Sequence, residues 1–307
     1  MNTHRPDPAT SELPDLLRLK SERALSITVC LPALNEADTI GAICTAITTL
    51  VEAGLVDELI VVDSGSSDST EEVARAAGAS VHRATEIQIG DVNEAPGKGG
   101  SLWKSLKIAR GDIIVWLDSD VRNFRTAFIT ALVAPLLANE RIRMTKAYYE
   151  RPLQDETSTL RAGGARVTEL VVRPLAHLLF PELVSFVQPL SGEYAAFRDD
   201  LLDLPFFAGY GVEIGLLIDF IERHGLEAVG QVDLGSRVHR NRDTLALGRM
   251  AYEVIQVLLK RAEDLGRIKI EPEWPAEMLQ FVSGPSGPVE QRYRLPAIEL
   301  PPMGTVS

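Results

Sequence analysis

The sequence predicts an α/β fold: one Rossmann-like, mainly parallel sheet flanked by helices, with a C-terminal helical extension and tail. Two observations predict it. Apolar runs alternate with helix-like segments through the first 120 residues, with short connections, which is the order expected of right-handed strand–helix–strand units. The run at 112–117 is apolar at nearly every position, as in strands buried on both faces of a parallel sheet.

The elements of the N-terminal half follow one another closely. We expect a short helix before residue 24, strands at 27–31, 58–62, 79–82 and 112–117, and helices at 38–51, 68–78 and 101–109. Pro32 is expected to end the first strand, since proline has no backbone N–H to donate. Asp68-Ser-Thr-Glu71 has the form of a capping box and predicts a helix start.

After Asp120 the pattern is less regular. We expect strands at 143–149, 194–197 and 228–238, and helices at 167–180, 212–224 and 243–265. We therefore divide the chain into a flexible segment at 1–24, one domain at 25–265 with halves at 25–120 and 121–265, and an extended tail at 266–307. The tail is expected to wrap the body or to pair with another subunit.

Composition narrows the function classes. The chain has 307 residues and a formal net charge of -12, so it lacks the basic stripe that a nucleic-acid partner requires. No run approaches eighteen apolar residues, and we expect neither a membrane span nor a signal peptide. Cys30 and Cys44 fall in apolar patterns and are expected to be buried thiols, which indicates a reducing, cytoplasmic location.

Asp118-Ser119-Asp120 directly follows the buried strand at 112–117. Open α/β sheets place their ligands beyond the carboxyl ends of the strands. Two carboxylates there offer hard oxygen ligands to Mg²⁺ or Mn²⁺, and such an ion can clamp a diphosphate. The alternative is an ordinary turn, since Asp and Ser favour strand ends.

Polar groups also follow the first two strands. Pro32-Ala-Leu-Asn35-Glu36 offers backbone amides and a carboxylate to a nucleobase and ribose, or simply the N-terminus of a helix. After the second strand, Asp63 or Ser64 is expected to hold a ribose hydroxyl or a base, while Asp68 caps the next helix.

Pro96-Gly97-Lys98-Gly99-Gly100-Ser101 is expected to be a glycine-rich loop before a helix, bringing Lys98 and helix N-terminal amides to a phosphate. The alternative is a surface lysine on a mobile loop. The spacing does not match a Walker A loop, which argues against a P-loop nucleotidase.

In chain order, the motifs are Pro32-Ala-Leu-Asn-Glu after strand one, Val62-Asp-Ser-Gly-Ser-Ser-Asp-Ser-Thr after strand two, Gly97-Lys-Gly, and Asp118-Ser-Asp. Together they resemble the nucleotide-sugar glycosyltransferases of the GT-A fold. The second half narrows the resemblance. Gly163-Gly-Ala-Arg166-Val-Thr168, Gln188-Pro-Leu-Ser-Gly192-Glu-Tyr, Gly209-Tyr-Gly-Val-Glu213 and Val238-His239-Arg240-Asn241-Arg242 resemble glycosyltransferase family 81, the glucosyl- and mannosyl-3-phosphoglycerate synthases. The resemblance runs from about residue 27 to residue 259 and implies a nucleotide-binding half at 25–120 and an acceptor-binding half at 121–265.

That family transfers a hexose, with retention of configuration, from UDP-glucose or GDP-mannose to the 2-hydroxyl of 3-phosphoglycerate. The resemblance therefore implies a divalent cofactor, Mg²⁺ or Mn²⁺. It also implies the nucleotide-sugar donor and 3-phosphoglycerate as partners, and we expect a homodimer. Either front-face attack or double displacement through Glu213 would give retention. We favour the first route, with Glu213 as a partner of a sugar hydroxyl.

The implied site residues fall into four groups. The nucleotide set, with Asp63 from the strand-end argument, is Pro32, Ala33, Leu34, Glu36, Asp63, Ser64, Lys98, Asp118 and Ser119. The sugar set is Leu190, Gly192, Tyr210 and Glu213, and the acceptor set is Gly164, Arg166, Thr168, Asn241 and Arg242. Asp120 and His239 are the implied metal ligands, and Asp120, Lys98 and Glu213 the implied catalytic residues.

Three other classes remain as alternatives. A nucleotidyltransferase would carry a Gly-rich, Arg-containing loop where Pro32-Ala-Leu-Asn-Glu stands. An inverting polyprenyl-phosphate sugar transferase would need a late catalytic Asp and often a membrane anchor. A catalytically silent sugar-nucleotide-binding protein would not need Lys98, Asp120 and His239 together.

Overall fold

The computed structural model describes residues 12–92, 95–150, 153–155, 158–160, 165–238, 243–271, 275–285 and 287–306. The helices are α1 (Leu13–Glu22), α2 (Ala37–Glu52), α3 (Thr70–Ala76), α4 (Gly97–Ile108), α5 (Ala127–Ala138), α6 (Arg173–Leu179), α7 (Arg198–Leu202), α8 (Val212–His224) and α9 (Thr244–Asp264). The strands are β1 (Ile27–Ala33), β2 (Glu58–Asp63), β3 (Ser80–Arg83), β4 (Ile113–Trp116), β5 (Met144–Glu150), β6 (Leu153–Asp155), β7 (Ser158–Leu160), β8 (Tyr194–Phe197), β9 (Phe206–Phe207), β10 (Val229–Ser236), β11 (Glu277–Gly284), β12 (Gly287–Arg294) and β13 (Glu299–Leu300).

A seven-stranded sheet organises these elements, in the order β10–β5–β8–β4–β1–β2–β3. The strands β1 to β4 run parallel, as do β5 and β10, and only β8 runs antiparallel to its two neighbours. The predicted α/β fold with a mainly parallel sheet is confirmed. The carboxyl ends of β1, β2 and β4 lie at one edge, so the residues that follow them meet there.

Apolar side chains cover both faces of the sheet. Alternate residues of β1 serve different cores: Cys30 belongs to one buried cluster, Val29 to the other. Trp103 and Trp116, expected in the core, are both fully buried. Among the described helices, none is both long and apolar enough to span a membrane.

The two cysteines are buried and unpaired, as predicted. Burial disfavours the thiolate and raises the pKa of both Cys30 and Cys44 to about 12. Neither thiol is therefore a nucleophile at neutral pH.

The first strand does not end at Pro32, as expected, but continues to Ala33. The neighbouring strand β4 has already ended, because its last residue, Trp116, pairs with Cys30. Pro32 thus lies where β1 has a free edge on that side, and a missing N–H is tolerated there. The capping box is also revised. The third helix begins at Thr70, and the Asp68 carboxylate instead accepts from the backbone N–H of Thr70 at 3.0 Å and of Ala37 at 3.2 Å.

The expected glycine-rich loop is the first turn of a helix, since α4 begins at Gly97. The glycines are required by close packing. A Cβ on Gly99 would lie 1.9 Å from the carbonyl oxygen of Phe207, and one on Gly100 would lie 1.9 Å from that of Ala95. Gly97 also has a positive φ of 67°. Lys98 therefore projects from a helix that is pressed against its neighbours rather than from a loop.

Two helical regions differ from expectation. Helix α5 was not predicted, because it is buried along most of its length and so lacks an amphipathic pattern. The helix predicted at 167–180 is divided into a π-helical turn at Thr168–Val172 and the α-helix at Arg173–Leu179. Its outer face is exposed, with Leu170 75% and Leu178 77% accessible.

The C-terminal residues contain more structure than an extended tail. Strands β11 and β12 form a hairpin, and β13 pairs with β9. The hairpin is attached to α9, because the Gln280 side-chain amide donates to the carbonyl oxygen of Leu245 at 3.0 Å. This part of the chain therefore packs on its own body.

Candidate active site

A cavity of about 920 Å³ opens at the carboxyl ends of β1, β2 and β4. Most of the predicted site residues line it together: Pro32, Ala33, Leu34, Glu36, Ser64, Lys98, Asp118, Ser119, Asp120, Arg166, Thr168, Leu190, Tyr210 and Glu213. The sequence positions of these residues range over almost two hundred residues. Their convergence follows from the sheet order, which brings the strand ends to one edge. Gly164, His239, Asn241 and Arg242 lie outside the described residues.

Two predicted residues do not line the cavity. Asp63 is buried, and its carboxylate accepts from the backbone N–H groups of Gly65 at 3.0 Å and Ser66 at 2.9 Å. It shapes the turn that presents Ser64, instead of reaching the cavity itself. Gly192 lies behind the carboxylate of Asp118, where a Cβ would come within 2.4 Å of Oδ1. Because glycine has no side chain, Gly192 leaves room for the Asp118 carboxylate.

Hydrogen bonds hold the strand ends in position. The Ser119 hydroxyl donates to the carbonyl oxygen of Pro32 at 2.7 Å, which joins the end of β4 to the end of β1. The Thr39 hydroxyl donates to the carbonyl oxygen of Ser119 at 2.6 Å and ties this junction to α2. The Ser64 and Ser101 hydroxyls lie 2.7 Å apart and join the end of β2 to α4. The cavity floor is thus preorganised.

Lys98 lies at the centre of the site. Its ammonium nitrogen is 2.5 Å from Asp118 Oδ1 and 2.6 Å from Glu213 Oε1. Burial lowers the pKa of Lys98, but the charges of Asp118 and Glu213 raise it by more, so that it lies well above its ordinary value. Lys98 therefore carries a fixed positive charge at every physiological pH.

Arg237 is a site residue that the sequence analysis missed. Its guanidinium is 2% exposed, and Nη2 donates to Asp118 Oδ2 at 2.7 Å and to Asp120 Oδ1 at 2.9 Å. Burial lowers the pKa of Arg237, but the charges of Glu193, Asp118 and Asp120 raise it well above its usual range. It follows β10 as Asp118 follows β4, and this position after a strand was the signal that could have identified it.

Buried groups behind the site orient Arg237. Its Nε lies 2.9 Å from Glu193 Oε1, and its Nη1 donates to the Tyr149 hydroxyl at 3.0 Å. That hydroxyl in turn donates to Glu193 Oε2 at 2.8 Å, and Glu193 is fully buried. A buried carboxylate of this kind is stabilised only by such partners. One guanidinium nitrogen is thereby fixed between the two aspartates.

Lys146 is another basic side chain buried beside the site. Its ammonium group donates to the carbonyl oxygen of Ser191 at 2.6 Å and lies 4.3 Å from the ring centroid of Tyr194. Burial lowers the pKa of Lys146 to about 7, even though the nearby charge of Glu213 raises it. The charge of Lys98 lowers it further.

The lowered pKa of Lys146 predicts how stability depends on pH. The unfolded chain keeps this proton up to the ordinary value of 10.5, whereas the folded protein loses it near pH 7. Between these values the unfolded state binds more protons, so stability rises with pH. Between pH 7 and 9, the wild type should gain about 2 kcal/mol in unfolding free energy relative to Lys146→Met. Urea unfolding measures this, with exposed Lys107→Met as control, and parallel curves for wild type and Lys146→Met would contradict it.

The site suits a hard divalent cation. Asp118 and Asp120 come together, because both accept from the same nitrogen of Arg237. In the described part of the chain, no cluster of three or more His, Cys, Asp and Glu side chains forms a complete metal site. The two carboxylates offer hard oxygen donors of the kind that Mg²⁺ and Mn²⁺ prefer, and diphosphate oxygens would add donors of the same kind.

Comparison with known proteins agrees with this geometry. Residues 28–165 match the family model of glycosyl transferase family 2. Glucosyl-3-phosphoglycerate synthase from Mycobacterium tuberculosis is 47% identical over 98% of this chain and 90% of its own length. Its crystal structure in complex with Mn²⁺, UDP-glucose and phosphoglyceric acid superposes with a TM-score of 0.84 at 44% identity, covering 98% of this chain and 96% of that one.

The crystal structure of mannosyl-3-phosphoglycerate synthase from Rubrobacter xylanophilus is also similar. It has a TM-score of 0.86 at 38% identity and covers 94% of this chain and 93% of that chain. These matches confirm the GT-A fold predicted from the motifs. The chain therefore belongs to the glucosyl-3-phosphoglycerate synthase family of glycosyltransferases.

Proposed function

We propose that this chain transfers a hexose from UDP-glucose or GDP-mannose to the 2-hydroxyl of 3-phosphoglycerate, with retention of configuration and with a divalent metal ion. One observation carries the proposal. The cavity joins an Asp118–Asp120 pair and a fixed Lys98 charge with Arg166 and Thr168, residues suited to an anionic acceptor. The relatives named above, a glucosyl-3-phosphoglycerate synthase and a mannosyl-3-phosphoglycerate synthase, support it.

The base end of the cavity is formed by the segments after β1 and β2. Leu34 is 52% exposed and offers an apolar surface against which a base can pack. Glu36 and Ser64 line the same end and supply oxygens for ribose and base. Because much of this contact comes from the backbone of 32–34, both uracil and guanine donors remain compatible with it.

The leaving group is stabilised by charge. When bound, the divalent ion would be held by Asp120 and His239 and would neutralise the departing nucleoside diphosphate. Lys98 supplies a second, fixed charge that requires no reorganisation during the reaction. Arg237 holds the two aspartates in place from behind.

The acceptor end is formed by the segment that begins the π-helical turn. Arg166 offers a planar fork of donors to a carboxylate or phosphate, and Thr168 adds a hydroxyl two residues later. Holding both anionic ends of phosphoglycerate would fix its 2-hydroxyl relative to the sugar. This positioning supplies much of the rate enhancement in transfer reactions.

The role of Glu213 distinguishes the two routes to retention. Its carboxylate is 4% exposed, and its Oε1 lies 2.6 Å from the Lys98 ammonium group. We propose that it binds a sugar hydroxyl and that the acceptor attacks from the front face. Glu213→Gln keeps the shape and should lower kcat by about 10- to 100-fold. A loss above about 10⁴-fold, together with a glycosyl-enzyme seen by mass spectrometry, would instead indicate double displacement. Glu222→Gln, on the exposed face of the same helix, is the control.

A matrix assay tests the proposed function. UDP-glucose, GDP-glucose and GDP-mannose are each paired with 3-phosphoglycerate, with Mg²⁺, with Mn²⁺ and with EDTA, and release of nucleoside diphosphate is followed. Release that needs both acceptor and metal is expected, and the matrix ranks the donors. If nucleoside diphosphate is released equally with and without 3-phosphoglycerate, then 3-phosphoglycerate is not the acceptor. Only the family assignment would then stand.

We further propose a cytoplasmic homodimer. The exposed leucines Leu170 and Leu178 lie on one helical segment, and Phe281 is 61% exposed on the hairpin. Large apolar side chains of this kind are typical of subunit interfaces. The two reduced, buried cysteines are compatible with a reducing compartment. Light scattering of the purified protein measures the oligomeric state.

A further inference from the structure

The C-terminal segment forms one wall of the cavity. Arg294, Leu295, Pro296 and Ile298 all line it, although they lie beyond the residues that carry the family resemblance. No motif in this segment predicted a part in the site. Its presence in the site raises the question of what Arg294 contributes.

This wall is held in place by the body of the protein. The Gln256 side-chain amide donates to the carbonyl oxygen of Leu295 at 2.8 Å. The backbone N–H of Ala208 donates to the carbonyl oxygen of Ile298 at 2.9 Å. The Trp103 indole N–H donates to the carbonyl oxygen of Pro301 at 2.8 Å. These bonds fix the chain after Arg294, and the pairing of Arg294 with Glu277 holds its own backbone in the β11–β12 hairpin.

Four basic side chains of the described residues line the cavity, and they differ in whether other groups of the protein already pair with them. Lys98 is paired with Asp118 and Glu213, and Arg237 with Asp118 and Asp120. Arg166 also interacts with another group. The Arg294 side chain makes no hydrogen bond or ion pair within the described part of the chain, and Arg294 is an exposed residue that lines the cavity.

The position of Arg294 points to the acceptor rather than to the base. The base end lies after β1 and β2, whereas the wall joins Ala208 and the helix α9. The same helix contacts the π-helical turn that begins at Thr168. The C-terminal wall of the cavity and the segment that holds Thr168 thus pack against the same helix.

We propose that Arg294 is a binding residue for an anionic group of the acceptor, and this inference rests on the proposed function. Phosphoglycerate carries a phosphate and a carboxylate at opposite ends of a short chain. A single arginine cannot hold both ends in bidentate fashion. Arg166 and Arg294, presented by two segments beside α9, supply one guanidinium for each end.

The test compares matched arginine variants in steady-state kinetics. Arg294→Ala should raise the KM for 3-phosphoglycerate by about tenfold or more and leave the KM for UDP-glucose within about twofold. Arg166→Ala should show the same pattern. Arg292→Ala is the control, because Arg292 lies on the same strand, pairs with Glu290 and does not line the cavity. With glycerate, which lacks the phosphate, an unchanged KM in Arg294→Ala would assign Arg294 to the phosphate, and a raised KM to the carboxylate.

Several outcomes would overturn the inference. An acceptor KM in Arg294→Ala within about twofold of the wild type would do so, as would an equal rise in the donor KM. Calorimetry of 3-phosphoglycerate binding in the presence of UDP and Mn²⁺ separates this inference from the proposed reaction. If the wild type binds 3-phosphoglycerate but transfers no hexose to it, only the proposed reaction fails. The affinity of Arg294→Ala for 3-phosphoglycerate then still tests the role of Arg294. If the wild type binds no 3-phosphoglycerate, both proposals fall.

Discussion

Asp120→Asn should lower kcat by at least about 10³-fold and weaken Mn²⁺ binding by at least about tenfold. The substitution keeps the shape of the side chain and removes the negative charge of a proposed metal ligand. Asp120 is 25% exposed in the cavity, and its Oδ1 accepts from Arg237 at 2.9 Å. Neutralising it therefore also frees part of the Arg237 charge, which cannot replace a divalent ion on the diphosphate.

Mn²⁺ binding is measured by electron paramagnetic resonance in the presence of UDP, and kcat by release of nucleoside diphosphate. Asp199→Asn is the matched control, since Asp199 is exposed on α7 and does not line the cavity. It should change neither quantity. Near-normal turnover of Asp120→Asn would refute the metal assignment, and an unchanged Mn²⁺ affinity would place the metal elsewhere.

Lys98→Met should lower kcat by about 10²- to 10³-fold, with a smaller effect on the KM for the acceptor. The ammonium group is fixed by Asp118 at 2.5 Å and Glu213 at 2.6 Å, and its raised pKa keeps it charged across the accessible pH range. In the proposed reaction, this fixed charge would lie beside the leaving diphosphate, where negative charge develops. Deprotonation of Lys98 should contribute no basic limb to the pH–rate profile of the wild type.

The control for Lys98 is Lys107→Met on the same helix, where Lys107 is exposed and faces away from the cavity. Lys98→Met also leaves two carboxylates without their shared cation, so its thermal unfolding is recorded beside its kinetics. If the Lys98→Met protein is folded and its kcat is within about tenfold of the wild-type value, Lys98 does not stabilise the leaving group.

The sequence predicted those elements whose burial is visible in the pattern of their own apolar residues. The strand at 112–117 was evident because its residues are buried on both faces and are apolar without interruption. The cavity-lining residues after β1 and β4 were predictable for a different reason, because ligands bind at strand ends in this fold class. Helix α5 was missed because a helix buried on most sides shows no amphipathic period.

Contacts that depend on sheet order could not be predicted from the sequence. Arg237 pairs with Asp118 across 119 positions, and this requires β8 to lie between β4 and β5 with β10 beside β5. The first turn of α4 is another such case. Its glycines suggest a loop by themselves, and only the contact of Gly99 with the Phe207 backbone explains them. Arg294 likewise reaches the cavity only through the tertiary packing of its hairpin.

The most direct test of the proposed reaction is the structure of its product. The protein is incubated with UDP-glucose, 3-phosphoglycerate and Mn²⁺, and the product is examined by ¹H and ¹³C NMR. We predict an α-anomeric signal with a correlation from the anomeric proton to C2 of the glycerate, absent when either the metal or the acceptor is omitted. A β-anomeric signal would contradict retention, and free glucose as the sole product would contradict transfer to 3-phosphoglycerate.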